Sequence, residues 1–243
     1  MNLYFDIETI PDQSEGAIDK IAENIKVKCP HSTKDQIGKD LGLDAKEIKF
    51  TSRPDLEGQW LERFGKGQAK EQAEEAYRKT SFDGAVGEIA SMAWADENEE
   101  IQSISRADSS EIEMIDFFFA NTGTASKNQR PKFVGHNIRF DLKFLYRRAV
   151  ILKLTPHFNL PFNGRHRNDF FDTMEAWAGF NERIAQDDLC KILGIEGKPD
   201  GIDGSKVWDF YKEGKINEIE EYNRDDVDKV RQIYKRLNFI GIN

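Results

Sequence analysis

The sequence contains very little cysteine. Only Cys29 and Cys190 occur among 243 residues, too few for the disulfide framework that stabilises many small secreted domains. A disulfide-rich secreted protein is therefore excluded, and we expect an intracellular, cytoplasmic protein whose thiols are reduced.

Long apolar runs are also missing. No stretch approaches the roughly 18 apolar residues of a membrane-spanning helix, and the start, MNLYFDIET, is not typical of a signal peptide. The hydrophobic share of 38%, with 17 Phe and 4 Trp, nevertheless supports a sizeable core. The sequence predicts a globular protein that has no membrane segment.

Basic residues are the minority, which gives a formal net charge of −9. This balance argues against a protein that coats nucleic acid non-specifically. The span 127–168 is different, because it holds ten basic residues and one acid, Asp141. A lone carboxylate among cations is expected where a polyanion approaches a metal-binding acid, and a solvated basic face is the alternative. The cations are Lys127, Arg130, Lys132, Arg139, Lys143, Arg147, Arg148, Lys153, Arg165 and Arg167.

The order of the predicted elements indicates the fold class. A strand at 1–10 and a hairpin at 87–95 and 101–106 come first, and helices and strands then alternate up to a closing helix at 216–237. This order predicts an α/β fold with a mixed sheet.

The stretch 12–83 differs in composition from the rest of the chain. It is rich in Lys, Glu, Asp, Gln and Ala, and we interpret it as a mostly helical insertion, interrupted at Pro30, Pro54 and Gly65. We expect one domain over 1–243, with its core at 1–11 and 84–243.

Two acids lie on the first strand. Asp6 and Glu8 are two residues apart, so their side chains project from the same face. Two carboxylates that close together are costly unless a cation lies between them. A metal site is one interpretation, and an exposed face of an edge strand is the other.

Two further acids lie on predicted helices. Asp141 starts the predicted helix DLKFLYRRAVIL after the strand KFVGHN, where it is either a helix N-cap or a metal ligand. Asp226 lies within a stripe that is otherwise apolar apart from Tyr222, so it should point inward and be paired or ligate a metal. Asp225 falls on the adjacent face with Lys229, which we expect to be solvated. The stripe is Ile219, Tyr222, Asp226, Val230, Ile233 and Leu237.

These segments together resemble a known superfamily. FDIET, VGHNIRFDLKFL and EYNRDDVDKV are similar to the three motifs of the DEDD (DnaQ-like) 3′-5′ exonucleases. The spacing of Tyr222 and Asp226 matches the DEDDy branch, which includes the proofreading domains of family A and family B DNA polymerases. The segments FDTMEAW and DDLCKILGIEGK also resemble stand-alone, family-B-like exonucleases of bacteria and phages.

The resemblance implies a fold and a set of site residues. The fold would be ribonuclease-H-like, a mixed five-stranded sheet flanked by helices, with the insertion after the first strand. The metal ligands would be Asp6, Glu8, Asp141 and Asp226, and Tyr222 would orient the attacking water. The residues in contact with the terminal nucleotide would be Thr9, Ile10, Asn137 and Phe140.

The resemblance also implies a reaction and its partners. Two divalent ions, Mg²⁺ or Mn²⁺, would support removal of nucleoside 5′-monophosphates from the 3′ end of single-stranded DNA. A DNA polymerase acting in trans is an expected partner. The alternatives are an exoribonuclease of the same family, a ribonuclease-H-like endonuclease, and a non-catalytic nucleic-acid-binding or replisome scaffold protein.

Overall fold

A computed structural model of the chain describes residues 1–97, 99–122, 131–162, 169–196 and 203–241. The chain divides into two compact units. Residues Met1–Pro11 and Thr80–Asn243 form the first unit, which contains the sheet, and residues Asp12–Lys79 form the second. Among the described residues, no helix is both long and apolar enough to cross a membrane.

Five strands of the first unit form one mixed sheet in the order β3-β2-β1-β4-β5. They are β1 (Asn2–Ile10), β2 (Glu88–Ala95), β3 (Gln102–Ser105), β4 (Lys132–Gly135) and β5 (Phe170–Asp172). The β1-β2 and β2-β3 pairs are antiparallel, and the β1-β4 and β4-β5 pairs are parallel. This topology confirms the predicted mixed five-stranded α/β fold of the ribonuclease-H-like class.

The central strand β1 is buried on both of its faces. Leu3, Phe5 and Ile7 belong to the larger hydrophobic cluster, whereas Tyr4 belongs to a second cluster together with Val227. Successive side chains of a strand alternate between its faces. Asp6 and Glu8 therefore lie on the same face as Tyr4, and an exposed edge strand is excluded.

The second unit consists of four helices, as predicted for a mostly helical insertion: α1 (Ala17–Asn24), α2 (Lys34–Leu41), α3 (Ala45–Phe50) and α4 (Arg53–Lys79). Asp44 and Glu47 form a capping box at the start of α3. The predicted break at Gly65 is wrong, because α4 continues through it. Trp60 and Phe64 lie on one face of α4 and pack in the core of this unit.

The described residues of the first unit form six α-helices: α5 (Glu111–Thr122), α6 (Ile138–Leu152), α7 (Thr173–Ala178), α8 (Gln186–Leu193), α9 (Val207–Lys212) and α10 (Ile216–Leu237). Helices α5 and α6 pack on one face of the sheet and α10 on the other. The bounds of α10 agree with the predicted closing helix. Helix α6 begins at Ile138, three residues earlier than the sequence pattern indicated.

Candidate active site

Strand β1 carries two acids next to a local irregularity in the sheet. Asp6 lies opposite Ala93 and Glu8 opposite Ser91 on β2, and the register shifts between Glu8 and Thr9. Such a bulge bends a strand and redirects the side chains beside it. Glu8 is only 8% exposed, so its carboxylate needs a partner within the protein or a bound cation.

Helix α10 brings a third acid to this pair. Asp226 is 5% exposed, as its place in the helical stripe predicted. One carboxylate oxygen from each of Asp6, Glu8 and Asp226 lies within 4.8 Å of the others. Three buried or half-buried carboxylates this close repel one another strongly unless a cation or a proton is shared between them.

Asp141 is the fourth predicted ligand, and it is buried in the first turn of α6. It is not the N-cap that the alternative interpretation expected, because Asn137 occupies that position. Burial, followed by the negative charges of Asp6 and Glu8, raises the pKa of Asp141 well above its usual range. Asp141 therefore lies within electrostatic reach of the β1 acids.

Tyr222 lies one helical turn before Asp226, and its side chain is partly buried. Its hydroxyl donates a hydrogen bond to Asp226. Burial, with the charges of Glu8, Asp226 and Asp6, raises the pKa of Tyr222 above the ordinary phenol value of 10.0. The phenol is therefore neutral at physiological pH and keeps its proton as a hydrogen-bond donor.

The residues that were expected to contact a nucleotide differ in burial and in their contacts. Thr9 is half-buried and donates from Oγ1 to the carbonyl oxygen of Ser81 at 2.7 Å. Ile10 is fully buried in a hydrophobic cluster, which argues against direct contact with a nucleotide. Phe140 is half-buried, and its ring lies 5.8 Å from that of Phe144.

Asn137 shapes the turn from β4 into α6. It adopts a left-handed backbone conformation with φ of 62°, and its backbone N–H donates to Asp172 Oδ1 at 3.0 Å. Asp172 also accepts from the backbone of Met174 and Glu175, so it caps α7 and holds this turn. Asn137 lines an open cleft of about 200 Å³.

Sequence reasoning missed Asn223. This residue is fully buried and contacts Asp6 on β1 and Ser91 on β2. Ile219, Asn223, Val227 and Val230 form a second buried stripe of α10 at helical spacing, so an inward-facing amide could have been found.

The other face of α10 also differs from expectation. Lys229 was predicted to be solvated, but it is 2% exposed and donates to Asp225 Oδ2 at 2.6 Å. The aliphatic part of a lysine packs readily in a protein interior when its ammonium group reaches an acid.

Several cations of the basic span 127–168 are paired with acids of the same protein. Of its cations, Lys127, Arg130, Arg165 and Arg167 lie outside the described residues. Three others form ion pairs, Arg139 with Glu175, Arg147 with Asp83 and Arg148 with Glu111. Three of the six cations of this span that the structure describes therefore face an acid of the same protein.

Comparison with known proteins identifies the family. A family described as a predicted 3′-5′ exonuclease related to the exonuclease domain of PolB matches residues 76–241. The match includes Asp141, Tyr222 and Asp226, while Asp6 and Glu8 precede it. No curated protein and no solved structure gives a significant match. The match spans more than half of the chain, so the protein belongs to this family of predicted 3′-5′ exonucleases related to the exonuclease domain of PolB.

Proposed function

We propose that the protein removes nucleoside 5′-monophosphates from the 3′ end of single-stranded DNA by metal-dependent hydrolysis of the phosphodiester bond. One observation carries this proposal. Ligand oxygens of Asp6, Glu8 and Asp226 converge within 4.8 Å, and the buried Asp141 interacts electrostatically with the first two.

The donor set fits hard divalent cations. Every proposed ligand is a carboxylate, and oxygen-only sites favour Mg²⁺ or Mn²⁺ over zinc. The convergence of acids would be strongly unfavourable without compensating positive charge. We assign Asp6, Glu8, Asp141 and Asp226 as the ligands of two such ions, which would activate the water nucleophile and stabilise the charge that develops at the phosphate.

The Tyr222 hydroxyl has the properties of a group that orients water. It is neutral, and its hydrogen bond to Asp226 holds it beside the acids. A fixed phenol can hold a water molecule in line with the scissile bond, which lowers the entropic cost of reaching the transition state. Tyr222 would act in this way without giving up its proton.

The 3′-terminal nucleotide would bind next to the acids. Asn137 and Phe140 are half-buried near the start of α6, where an amide and an aromatic ring could contact a sugar and a base. Thr9 follows Glu8 directly on β1 and is the third proposed contact. A free 3′ end of single-stranded DNA is the proposed substrate, and a DNA polymerase acting in trans is a proposed partner.

A time course on 5′-labelled single-stranded oligonucleotides tests the proposal. With Mg²⁺ or Mn²⁺ we expect a descending ladder on DNA that EDTA stops, with 5′-mononucleotides as the products. A faster ladder on matched RNA would reassign the substrate to RNA. Salt-sensitive binding without cleavage under any metal would contradict the proposed activity and favour a scaffold.

A further inference from the structure

Asn223 connects the sheet to the acids through its side-chain amide. Its Nδ2 donates to Asp6 Oδ2 at 2.6 Å, and its Oδ1 accepts from Ser91 Oγ at 2.9 Å. Asn223 and Ser91 are both completely buried. The hydrogen bond between Asn223 and Ser91 is thus fully buried, and the one to the half-buried Asp6 is partly shielded from water. Loss of a partner from such bonds is costly.

The chemistry of the partners fixes the orientation of the amide. An ionised carboxylate accepts hydrogen bonds only, so the NH₂ group of Asn223 must face Asp6. The amide oxygen then faces Ser91, whose hydroxyl can donate. The opposite orientation would place the amide oxygen against the carboxylate oxygen. Both are acceptors, so no hydrogen bond could form between them.

Ser91 connects the Asn223 amide to strand β2, next to the acids of β1. It lies on β2 directly opposite Glu8 of β1, so the chain of hydrogen bonds runs from beside one acid to the other. Asn223 also follows Tyr222 on α10. A single neutral side chain therefore ties together β1 and α10, the strand and the helix that carry three of the four proposed ligands.

A neutral donor suits a carboxylate that ligates a metal. A lysine or arginine in this position would hold Asp6 equally well, but its positive charge would oppose a bound cation. An amide restricts the rotation of the carboxylate without that repulsion. Hydrogen-bonding partners of this kind orient metal ligands in many sites.

We infer that Asn223 is a positioning residue, whose amide, anchored by Ser91, holds the Asp6 carboxylate in the orientation that ligates the metal. This inference rests on the proposed function, because it requires a metal at the acids. It adds a residue that does not itself contact the metal or the substrate.

The competing explanation is that Asn223 only fastens α10 to the sheet. The protein offers a matched contact for that role. Ser103 Oγ on β3 donates to Glu220 Oε1 on α10 at 2.6 Å, and neither residue belongs to the acidic cluster. Loss of this contact should loosen the same helix without disturbing Asp6.

Two pairs of substitutions in the full chain separate these explanations. Asn223→Ala is compared with Glu220→Ala, and Ser91→Ala with Ser103→Ala. For each variant, Mn²⁺ affinity is measured by calorimetry on metal-free protein, and stability by urea unfolding in EDTA. The Mn²⁺ concentration that gives half-maximal exonuclease activity provides an independent readout.

We expect Asn223→Ala to weaken Mn²⁺ binding by about 10- to 100-fold, and to raise the Mn²⁺ requirement for activity by the same factor. Ser91→Ala should weaken binding in the same direction but less, by about threefold or more, because the bond to Asp6 remains. Glu220→Ala and Ser103→Ala should leave the Mn²⁺ affinity within about twofold of wild type.

The outcomes distinguish the inference from the proposed function. Wild-type Mn²⁺ affinity in Asn223→Ala, together with lowered stability, would overturn the inference alone. If Asn223→Ala does not fold, equal Mn²⁺ affinities in Ser91→Ala and Ser103→Ala would overturn it instead. Failure of the wild-type protein to bind Mn²⁺ would overturn the metal site and the inference with it.

Discussion

At the scale of single residues, Asp141 makes the stability of the metal-free protein depend on pH. Burial and the neighbouring charges of Asp6 and Glu8 raise its pKa above 3.8 in the folded state. The unfolded chain keeps the ordinary pKa of about 3.8. At pH values between this pKa and the raised pKa of the folded state, the folded protein holds a proton on Asp141 that the unfolded chain has released. The free energy of unfolding therefore falls as pH rises through this window, by at most about 1.4 kcal/mol per pH unit for one proton.

Urea unfolding in EDTA from about pH 4.5 to about pH 7.5 measures this dependence. The Asp141→Asn variant is the control, because it has no proton to release at this position and should show a flatter profile. Identical pH profiles for the two proteins would show that Asp141 does not titrate abnormally.

Asp225 and Asp226 are adjacent but should respond differently to substitution. Asp225 accepts from the ammonium of Lys229, which is 2% exposed, so Asp225→Ala leaves a buried donor without its acid. We expect a loss of about 1–3 kcal/mol in the free energy of unfolding. Asp225→Asn retains an acceptor oxygen and should lose less. Chemical denaturation of both variants checks this order, and a larger loss in Asp225→Asn would contradict it.

At the scale of secondary-structure elements, a buried ion pair ties α6 to α5 and β2. Arg148 donates from Nε and Nη2 to Glu111, at 2.9 and 2.7 Å, and Glu111 Oε1 also accepts from the backbone N–H of Ile89. Removal of one partner from such a pair leaves an uncompensated buried charge. We expect Arg148→Ala to lower the free energy of unfolding by about 3–5 kcal/mol.

Arg147 offers the matched control on the same helix. It pairs with Asp83, but these side chains are 40% and 52% exposed. We expect Arg147→Ala to change the free energy of unfolding by about 0–1 kcal/mol, because water solvates both charges. Similar losses in the two arginine variants, measured by urea denaturation, would contradict the assigned difference in burial.

Periodicity predicted some elements well and others poorly, for physical reasons. The spacing of three and four residues between apolar positions in α10 was enough to predict that Asp226 faces the protein interior. The start of α6 was missed because Asn137 caps it in a left-handed conformation without a side-chain cap hydrogen bond, so the usual cap pattern is lacking. The role of Asn223 depends on Ser91, which lies far away in the sequence, and spacing within one helix does not reveal such a contact.

At the scale of the whole molecule, the helical unit is inserted between two points of the first unit that lie close together. A Cβ atom at Gly87 would lie 2.5 Å from the carbonyl oxygen of Thr80 and 3.0 Å from that of Ile10. The chain therefore leaves and re-enters the first unit at neighbouring positions, as is usual where one domain is inserted into another.

Replacement of residues 12–79 by a linker of about four to six residues should leave the first unit folded. All the proposed metal ligands lie in that unit, so the shortened protein should bind Mn²⁺ with an affinity within about threefold of the full chain. Circular dichroism and calorimetric titration measure the two properties. Loss of Mn²⁺ binding in a folded shortened protein would mean that the insertion supports the site.

The amino-acid composition correctly predicted the secondary structure of the inserted unit. The Lys-, Glu- and Ala-rich stretch is helical, as expected. Composition was less informative about surface charge, because three arginines of the basic span are paired with acids from other parts of the chain. A count along the sequence includes such cations although their charge is already neutralised.

The proposed role of Asp226 as a ligand of a catalytic metal can be tested directly. We would compare Asp226→Asn with Asp225→Asn in Mn²⁺-dependent degradation of 5′-labelled single-stranded DNA. Both variants make the same change at neighbouring positions of α10, and each retains a side-chain oxygen. We predict a loss of about 10³-fold or more in turnover for Asp226→Asn and activity within about threefold of wild type for Asp225→Asn. Equal activities in the two variants would contradict the assignment of the acidic cluster as the active site.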